Sequence, residues 1–362
     1  MKIIAAQSIR LSIPFSDGGR GIGMTPSAWN KLDMVLVRLE TDTGLVGWGE
    51  AFSYFCAGAV KAMLDETILP LVIGQDVKDP SAFSVSLQQR LCLFGRYGIT
   101  LFGLSGVDIA LWDLVAKERG QSLSAVLATP QRDQLDAYAS LVRYGDAKAA
   151  ALHTQKAVSE GYRFIKLHEI TRSEIAACHA VLNGADLMID VNCTWSEDEA
   201  RSMAAWLKTL DTLWLEEPTF PPEDYQQMQR IGHGMALAGG ENLSTVWQFQ
   251  TAFESGCLIY PQPSITKVGG VSEMMKIAAL ATTYPETTLQ PHSPYFGPGY
   301  LATLQVCAVL QKAPIFEFLY IWPDAYLYPN MPLPEKGRIT IPDGPGLGMD
   351  PDAALIDRFR IA

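Results

Sequence analysis

Four segments within residues 163–241 decide the fold: Arg163-Phe164-Ile165-Lys166-Leu167-His168, Leu187-Met188-Ile189-Asp190-Val191-Asn192, Thr212-Leu213-Trp214-Leu215-Glu216 and Ala236-Leu237-Ala238-Gly239-Gly240-Glu241. Each is a short apolar run closed by a polar side chain, and amphipathic segments of helical length separate them. Near-continuous apolar strands alternating with helices are the mark of βα units in a parallel sheet buried on both faces. Lys166 to Asp190 is 24 residues, Asp190 to Glu216 is 26, and Glu216 to Glu241 is 25. One βα unit separates each pair, so the charges recur with the period of the fold and converge on one rim.

Outward from this stretch, further strands are expected at residues 136–141, 258–262, 288–292 and 315–318, which brings the count to that of a closed barrel. Such a barrel takes roughly 250 residues or somewhat fewer, and a chain of 362 residues therefore leaves a flanking domain of about 100. In that flank, residues 35–40 and 45–50 enclose the turn Thr41-Asp42-Thr43-Gly44, a hairpin signature, and Leu104, Val107, Leu111, Leu114 and Val115 recur at helical spacing before Gly120. The flank is thus an α+β unit. Ser16-Asp17-Gly18-Gly19-Arg20-Gly21-Ile22-Gly23 follows no clear strand and opens no periodic helix, so it reads as a loop rather than a dinucleotide cradle. The segment after Phe318 is rich in Pro and Gly through Gly348 and is expected to run back over the first domain. The expected organisation is 1–130 for a capping domain, 131–325 for the barrel and 326–362 for the returning tail.

Composition narrows the function classes. Hydrophobic residues make up 48% and charged residues 19%, which suits a chain that buries a sizeable core. Lys and Arg number 28 against 39 Asp and Glu, a net charge of -11 that argues against a nucleic-acid or anionic-membrane surface. The six cysteines form no CxxC pair, so neither a zinc site nor a disulfide framework is indicated and a reducing compartment fits. The N-terminus lacks a signal-peptide core, and no uninterrupted apolar run reaches bilayer length. The expectation is a soluble, cytoplasmic protein.

In a parallel barrel the chemistry lies at the C-terminal strand ends. Three carboxylates gathered there, Asp190, Glu216 and Glu241, repel one another unless a cation joins them. The ligand set is all oxygen, which favours Mg2+ over zinc or copper. Lys166 and His168 are two apart on one strand and so face the same side, beside that cation, as candidates for a general base. His292 ends the strand across the ring. His153, His179 and His233 fall in helical or connecting segments and read as structural or solvated.

These residues, in this order, resemble the enolase superfamily, in the branch of mandelate racemase, muconate lactonizing enzyme and the acid-sugar dehydratases. The resemblance covers nearly the whole chain. Its marks are Gly47-Trp48-Gly49-Glu50, the helix from Ser105 to Asp113, Lys166-Leu167-His168, Ile189-Asp190-Val191-Asn192, Leu215-Glu216-Glu217-Pro218, Gly240-Glu241-Asn242, Lys267-Val268-Gly269-Gly270 and Pro345-Gly346-Leu347-Gly348. It implies an α/β fold, a modified (β/α)7β TIM barrel under an α+β capping domain formed by the N-terminal part and the C-terminal tail. It also implies magnesium held by Asp190, Glu216 and Glu241, with Glu217 as the less favoured neighbour. Lys166 and His168 then occupy the base motif, His292 the opposite-face acid/base position, and Glu317 the residue that hydrogen-bonds the substrate carboxylate, acting as a donor if protonated. Family members remove the proton α to a carboxylate and form an enediolate held by the metal. Symmetric homo-oligomers are also implied.

Two departures from the family pattern bear on mechanism. His168 stands where a second lysine is common, which leaves Lys166 and His168 both open as the base. Ser264 stands where relatives carry an aspartate that orients the histidine, or a catalytic lysine, so His292 loses the usual carboxylate partner. Tyr295 lies close enough in sequence to serve instead, with packing as its alternative role. A single strong base favours dehydration of a hydroxy acid over racemisation, epimerisation or cycloisomerisation through the same intermediate. A catalytically inactive carboxylate-binding protein is the reading from another class, and a metal-dependent hydrolase is weakened by the shortage of histidine ligands. Substrate contacts are expected from Asn192, Lys267, Tyr54, Tyr295 and Phe296, with capping loops at 15–26 and 51–57 closing over a small carboxylate.

Overall fold

The computed structural model describes residues 1–21, 28–232 and 234–361. Strands β1 (Ile3–Ser16), β2 (Lys31–Thr41) and β3 (Val46–Ala51) form an antiparallel meander, and Gly44 at φ +81° supplies the left-handed residue of the β2–β3 turn. The helix Ile99–Glu118 lies against β3. Their approach requires Gly49, because a Cβ there would stand 1.9 Å from the carbonyl oxygen of Gly106. This helix, with Asp108 and Asp113 interrupting its apolar run, is long and apolar enough by length and composition to cross a membrane. However, 83% of its most apolar window is buried, so its apolarity is that of a core helix.

The second sheet is parallel. Strands β4 (Gln134–Leu141), β5 (Phe164–Leu167), β6 (Asp186–Asp190), β7 (Trp214–Glu216), β8 (Leu237–Gly239) and β9 (Leu258–Pro261) pair in sequence order, and β10 (Phe316–Leu319) pairs with β4. This is the barrel with a capping domain that the sequence implied. The expected strand at 288–292 is corrected in one respect. The N–H groups of Thr288, Gln290 and His292 donate to carbonyls of the β9 segment at 2.9, 2.9 and 3.1 Å, but on the β10 side the segment is tied through side chains. Pro291 has no N–H to offer β10, so this line of backbone is one-sided.

Period-two alternation sets the depth of each inward side chain. Tyr138, Met188, Trp214 and Ala238 form an apolar plug across the barrel, and Ser140, Asp190 and Glu216, two residues farther along, form the rim above it. Connecting helices start sharply: Asp146 caps Ala147–Ser159, and Ser196 with Glu199 forms a capping box for Glu197–Leu207.

The tail divides between the two units. β11 (Trp322–Pro323) pairs with β1, and Arg360 after the helix Ala353–Phe359 bridges to Leu11. β12 (Arg338–Thr340) instead pairs antiparallel with β4 at residues 134–136, at the end of the barrel away from the rim. The tail therefore also lengthens the barrel, which its Pro and Gly content did not reveal. His153 stacks on Tyr144 at 4.5 Å and bonds the Gly18 carbonyl, a structural role, and His179 ends the helix Arg172–His179. His233, and residues 22–26 of the first capping loop, lie outside the described residues.

Candidate active site

The Lys166 ammonium is the hub of the rim. Its Nζ lies 3.0 Å from Glu216 Oε1, 3.0 Å from Glu317 Oε1 and 3.4 Å from Asp190 Oδ2, and all four side chains are buried. Burial alone would push the lysine down, but Glu216, Glu317 and Asp190 outweigh it and hold it charged, well above the ordinary lysine range. Asp190 is pushed up by burial and, more strongly, down by Lys166 and His168, and it stays below the ordinary range. Burial followed by the charge of Asp190 drives the Glu216 carboxyl well up. Trp214 Nε1 steadies the far oxygen of Glu216 at 3.0 Å.

His168 donates from Nδ1 to the Leu141 carbonyl at 2.5 Å, which turns Nε2 toward Asp190 Oδ2 at 3.1 Å. Glu317 accepts from the Ser293 N–H at 2.9 Å. Burial opposes its charge, but Lys166 and His292 hold it below the ordinary range. In this arrangement it accepts from Ser293 and Lys166.

The opposite face is built differently. His292 Nε2 lies 2.9 Å from Glu241 Oε2, and its Nδ1 lies 3.4 Å from Ser264 Oγ. Ser264 also contacts the hydroxyl of Tyr295, which is buried. Lys267 reaches Glu241 Oε1 at 3.4 Å and Asn242 Oδ1 at 3.0 Å and lies 4.3 Å over the Phe52 ring. Glu241 is pushed up by burial and more strongly down by His292 and Lys267, and stays well below the ordinary range.

Between these faces lies a cavity of about 250 Å³. Lys166, His168, Asp190, Asn192, Glu241, Lys267, His292 and Glu317 line it from the barrel, and Trp29, Phe52, Tyr54 and Phe55 roof it from the capping domain. The Tyr54 hydroxyl donates to the Pro294 carbonyl at 2.6 Å, pinning roof to rim. A larger hollow of about 400 Å³ around Tyr284, Leu310 and Lys312 contains no strand-end carboxylate, so it is not the site.

Two predicted contacts do not line the cavity. Phe296 stacks on Tyr300 and meets Phe318 and Tyr326, and Tyr295 acts behind His292. Glu217 turns outward at φ +38°, accepts from the Gly240 N–H, and is pushed up to about 8 by burial, Glu241 and Asp190. Four cavity residues escaped the sequence reading: Trp29, Ser140, Pro294 and Leu319. Ser140 is the last residue but one of β4 and was findable by the strand-end rule, whereas Trp29 sits in a connecting segment and carried no periodic signal.

The donor set suits a divalent cation. Asp190 and Glu216 are buried against each other, and the mutual repulsion that raises Glu216 is the problem a hard cation solves. Among the described residues no three His, Cys, Asp or Glu side chains stand in coordinating array, and Glu241 is engaged by His292 and Lys267. Buried Asn192 Oδ1 and Ser140 Oγ, both in cavity-lining residues, have no protein partner.

Comparison with known proteins gives concordant results. Residues 18–128 match the family "Mandelate racemase / muconate lactonizing enzyme, N-terminal domain", and residues 148–355 match "Enolase C-terminal domain-like". The chain is 31% identical over 353 residues to the D-galactarolactone cycloisomerase of Agrobacterium fabrum, covering 90% of this chain and 91% of that one. It is 29% identical over 358 residues to the arabinonate dehydratase of Saccharolobus solfataricus, covering 92% of each. A racemase from Streptomyces coelicolor with bound magnesium superposes with a TM-score of 0.87 at 26% identity, covering 99% of this chain and 100% of that one.

Proposed function

The chain belongs to the mandelate racemase and muconate lactonizing enzyme family of the enolase superfamily and is an enzyme of the lyase and isomerase kind, and from that premise we propose that it dehydrates a small hydroxy acid, with an acid sugar as the substrate class. The first step is abstraction of the α-proton of the carboxylate to give an enediolate. The observation that carries this reading is the buried Lys166 Nζ, set among Asp190, Glu216 and Glu317 on the floor of the cavity.

Asp190, Glu216 and Glu241 would hold magnesium, as three oxygen donors at successive strand ends. When bound, the ion supplies Lewis-acid stabilisation of the charge that develops on the substrate carboxylate. Lys166 is the base. Its state as amine or ammonium is set by the three carboxylates around it, so any charge taken from them frees its lone pair. His168 keeps its Nδ1 proton on the Leu141 carbonyl and turns Nε2 to the cavity, where it orients Asp190. Lys267, under the Phe52 ring, gives a second fixed cation for an anionic substrate group. Asn192 and Ser140 offer partnerless polar atoms to substrate hydroxyls.

Cycloisomerisation is the second reading. It is favoured by the roof of Trp29, Phe52, Tyr54 and Phe55, which presents ring faces to a cyclic substrate better than to an extended polyol. Proton NMR of a panel of hydroxy acids and their lactones in heavy water with magnesium distinguishes the outcomes. Dehydration removes the α-proton and the β-hydroxyl as water and yields a keto acid that carries solvent deuterium on the β-carbon, whereas ring opening or closure leaves the formula unchanged. A magnesium-loaded protein that neither exchanges nor converts any of the panel is a binder, and the reading fails.

A further inference from the structure

We propose that Tyr144 and His153 form a socket on the barrel that grips the backbone of Asp17, Gly18 and Gly19, and that this grip sets the place of Trp29 in the cavity roof. The two rings are then positioning residues for substrate enclosure. They stack at 4.5 Å with an interplanar angle of 7°. Successive carbonyls of the capping segment are held by them: the Tyr144 hydroxyl donates to the Asp17 carbonyl at 3.2 Å, and His153 Nε2 lies 3.1 Å from the Gly18 carbonyl. A carbonyl only accepts, so both donor directions are fixed. Nδ1 of the same histidine has no partner among the described residues, which leaves the Gly18 carbonyl as the ring's polar anchor. Asp17 is itself buried, and its Oδ1 takes the Gly19 N–H at 2.8 Å, which holds the turn closed. The fit is specific to glycine. A Cβ at Gly18, whose φ is +76°, would stand 2.4 Å from His153 Cε1 and 3.0 Å from Trp322 Cζ3, and one at Gly19 would stand 2.8 Å from Tyr144 Cδ1.

Both ends of the socket lead to the site. On the barrel side, Glu169 accepts from the Tyr144 N–H at 2.6 Å, and Glu169 directly follows His168. On the capping side, the Gly21 carbonyl accepts from the Trp29 N–H at 3.0 Å, and the Phe15 N–H donates to the Asn30 carbonyl at 2.9 Å. The Phe15 ring meets Trp29 edge-on at 5.2 Å, and Trp29 leans on Tyr54 at 5.3 Å in the roof. Glycines have no side chain to bury, so the two ring-to-carbonyl bonds and the close approach they permit fasten this stretch to the barrel. The glycine run that makes no dinucleotide cradle thus has a task, which is to bring backbone up to the rings. The socket rests on this geometry alone. That its loss weakens substrate binding rests on the reaction proposed above.

The test is fluorine NMR of the full chain grown with fluorotryptophan. The chain has eight tryptophans, and the resonances lost in Trp29→Phe and Trp322→Phe identify the two at the socket. His153→Ala and Gly19→Ala should shift or broaden the Trp29 resonance while the tryptophans remote from the socket keep theirs, which shows the fold intact. Tyr144→Phe, which removes only the hydroxyl, disturbs the fold least and should move Trp29 in the same direction. His153→Gln keeps an N–H donor and should restore most of the wild-type signal. Gly18→Ala adds a left-handed backbone penalty to the ring clash, and a double variant separates the two: in the His153→Ala background it should move Trp29 much less than it does alone. A Trp29 resonance unmoved by His153→Ala and Gly19→Ala overturns the proposal, as do additive effects of Gly18→Ala and His153→Ala. None of these readouts needs substrate. For an acid that the heavy-water panel shows to be turned over, His153→Ala should raise KM several-fold at constant kcat, and His153→Gln should recover it. An unchanged KM overturns the role in enclosure. A panel without turnover defeats the reaction proposed above and leaves the fluorine spectra to decide the socket.

Discussion

The barrel rim and the seam beneath the capping domain both bury carboxylates, yet they treat the charge in opposite ways. At the rim, three of the four acids, Asp190, Glu241 and Glu317, are held below their ordinary range by cationic neighbours, while burial and the charge of Asp190 push Glu216 up. At the seam, Glu50 accepts from the Gly299 N–H at 2.8 Å and Asp108 from the Ser272 N–H at 2.9 Å, and burial pushes each up to about 7. A buried acid that must act on a ligand is given cations, whereas one that only fastens two backbones together can stay neutral. Asp113 falls between these cases: burial raises it to about 6, Lys117 opposes the rise, and the acid joins Trp48 to Leu347.

The contrast breaks most visibly at Lys166. Lys166→Ala should lower α-proton exchange about 10³-fold or more, as expected for loss of a general base, and NMR in heavy water reads this directly. The same substitution strips Asp190, Glu216 and Glu317 of their shared cation, so metal-free protein should melt lower and magnesium should restore more of its stability than in wild type. Normal exchange by this variant would overturn the assignment of the base.

Asp190→Asn tests the metal side of the rim. Wild type should lose turnover to a chelator, regain it with magnesium, and melt higher with added magnesium. In Asp190→Asn the melting shift should shrink to near zero while the fold is kept. A full shift would remove Asp190 from the ligand set.

At the seam the predicted effect is on stability. Glu50 binds its proton more tightly folded, at about 7, than unfolded, near the ordinary 4.5 of a glutamate. Its contribution is therefore fully present below about 4.5, is lost as pH rises toward 7, and is flat above that. At about 1.4 kcal/mol per unit the full change is roughly 3 kcal/mol. Glu50→Gln keeps an acceptor for the Gly299 N–H and removes the ionisable group, so above neutrality it should be the more stable protein by up to that amount. Denaturant melts of both proteins across the pH range would show the gap opening with rising pH. A constant gap would mean that the seam is fastened by something other than a neutral acid.

The rim was legible because charge at a fixed interval of 24 to 26 residues has few causes other than a barrel, and each strand is short enough for its last residue to be identified. The roof and the seam were not legible in the same way. Trp29 reaches the cavity through tertiary placement that no local period encodes, and Phe296 packs away from the cavity against Tyr300 and Phe318. The 288–292 segment read as a strand on its apolarity, but Pro291 removed one side of its ladder. Likewise the histidine at 292 was expected to lack a carboxylate, because Ser264 fills the sequence position, and the fold brings Glu241 to its other nitrogen.

The smallest expected effect is at the point where roof meets rim. Tyr54 spans the two units with one bond, from its hydroxyl to the Pro294 carbonyl, and its ring leans on Trp29 at 5.3 Å and Phe52 at 5.5 Å. Tyr54→Phe keeps the ring stack and the cavity wall but leaves a carbonyl without its donor, a loss of about 1 kcal/mol. The rim groups that do chemistry are untouched, so KM should rise several-fold at constant kcat, as for binding energy lost equally from ground and transition states. If kcat falls by the same factor while KM stays put, the roof positions the reacting carbon as well as enclosing it, and the division of labour between charged rim and neutral cap has to be redrawn at Tyr54.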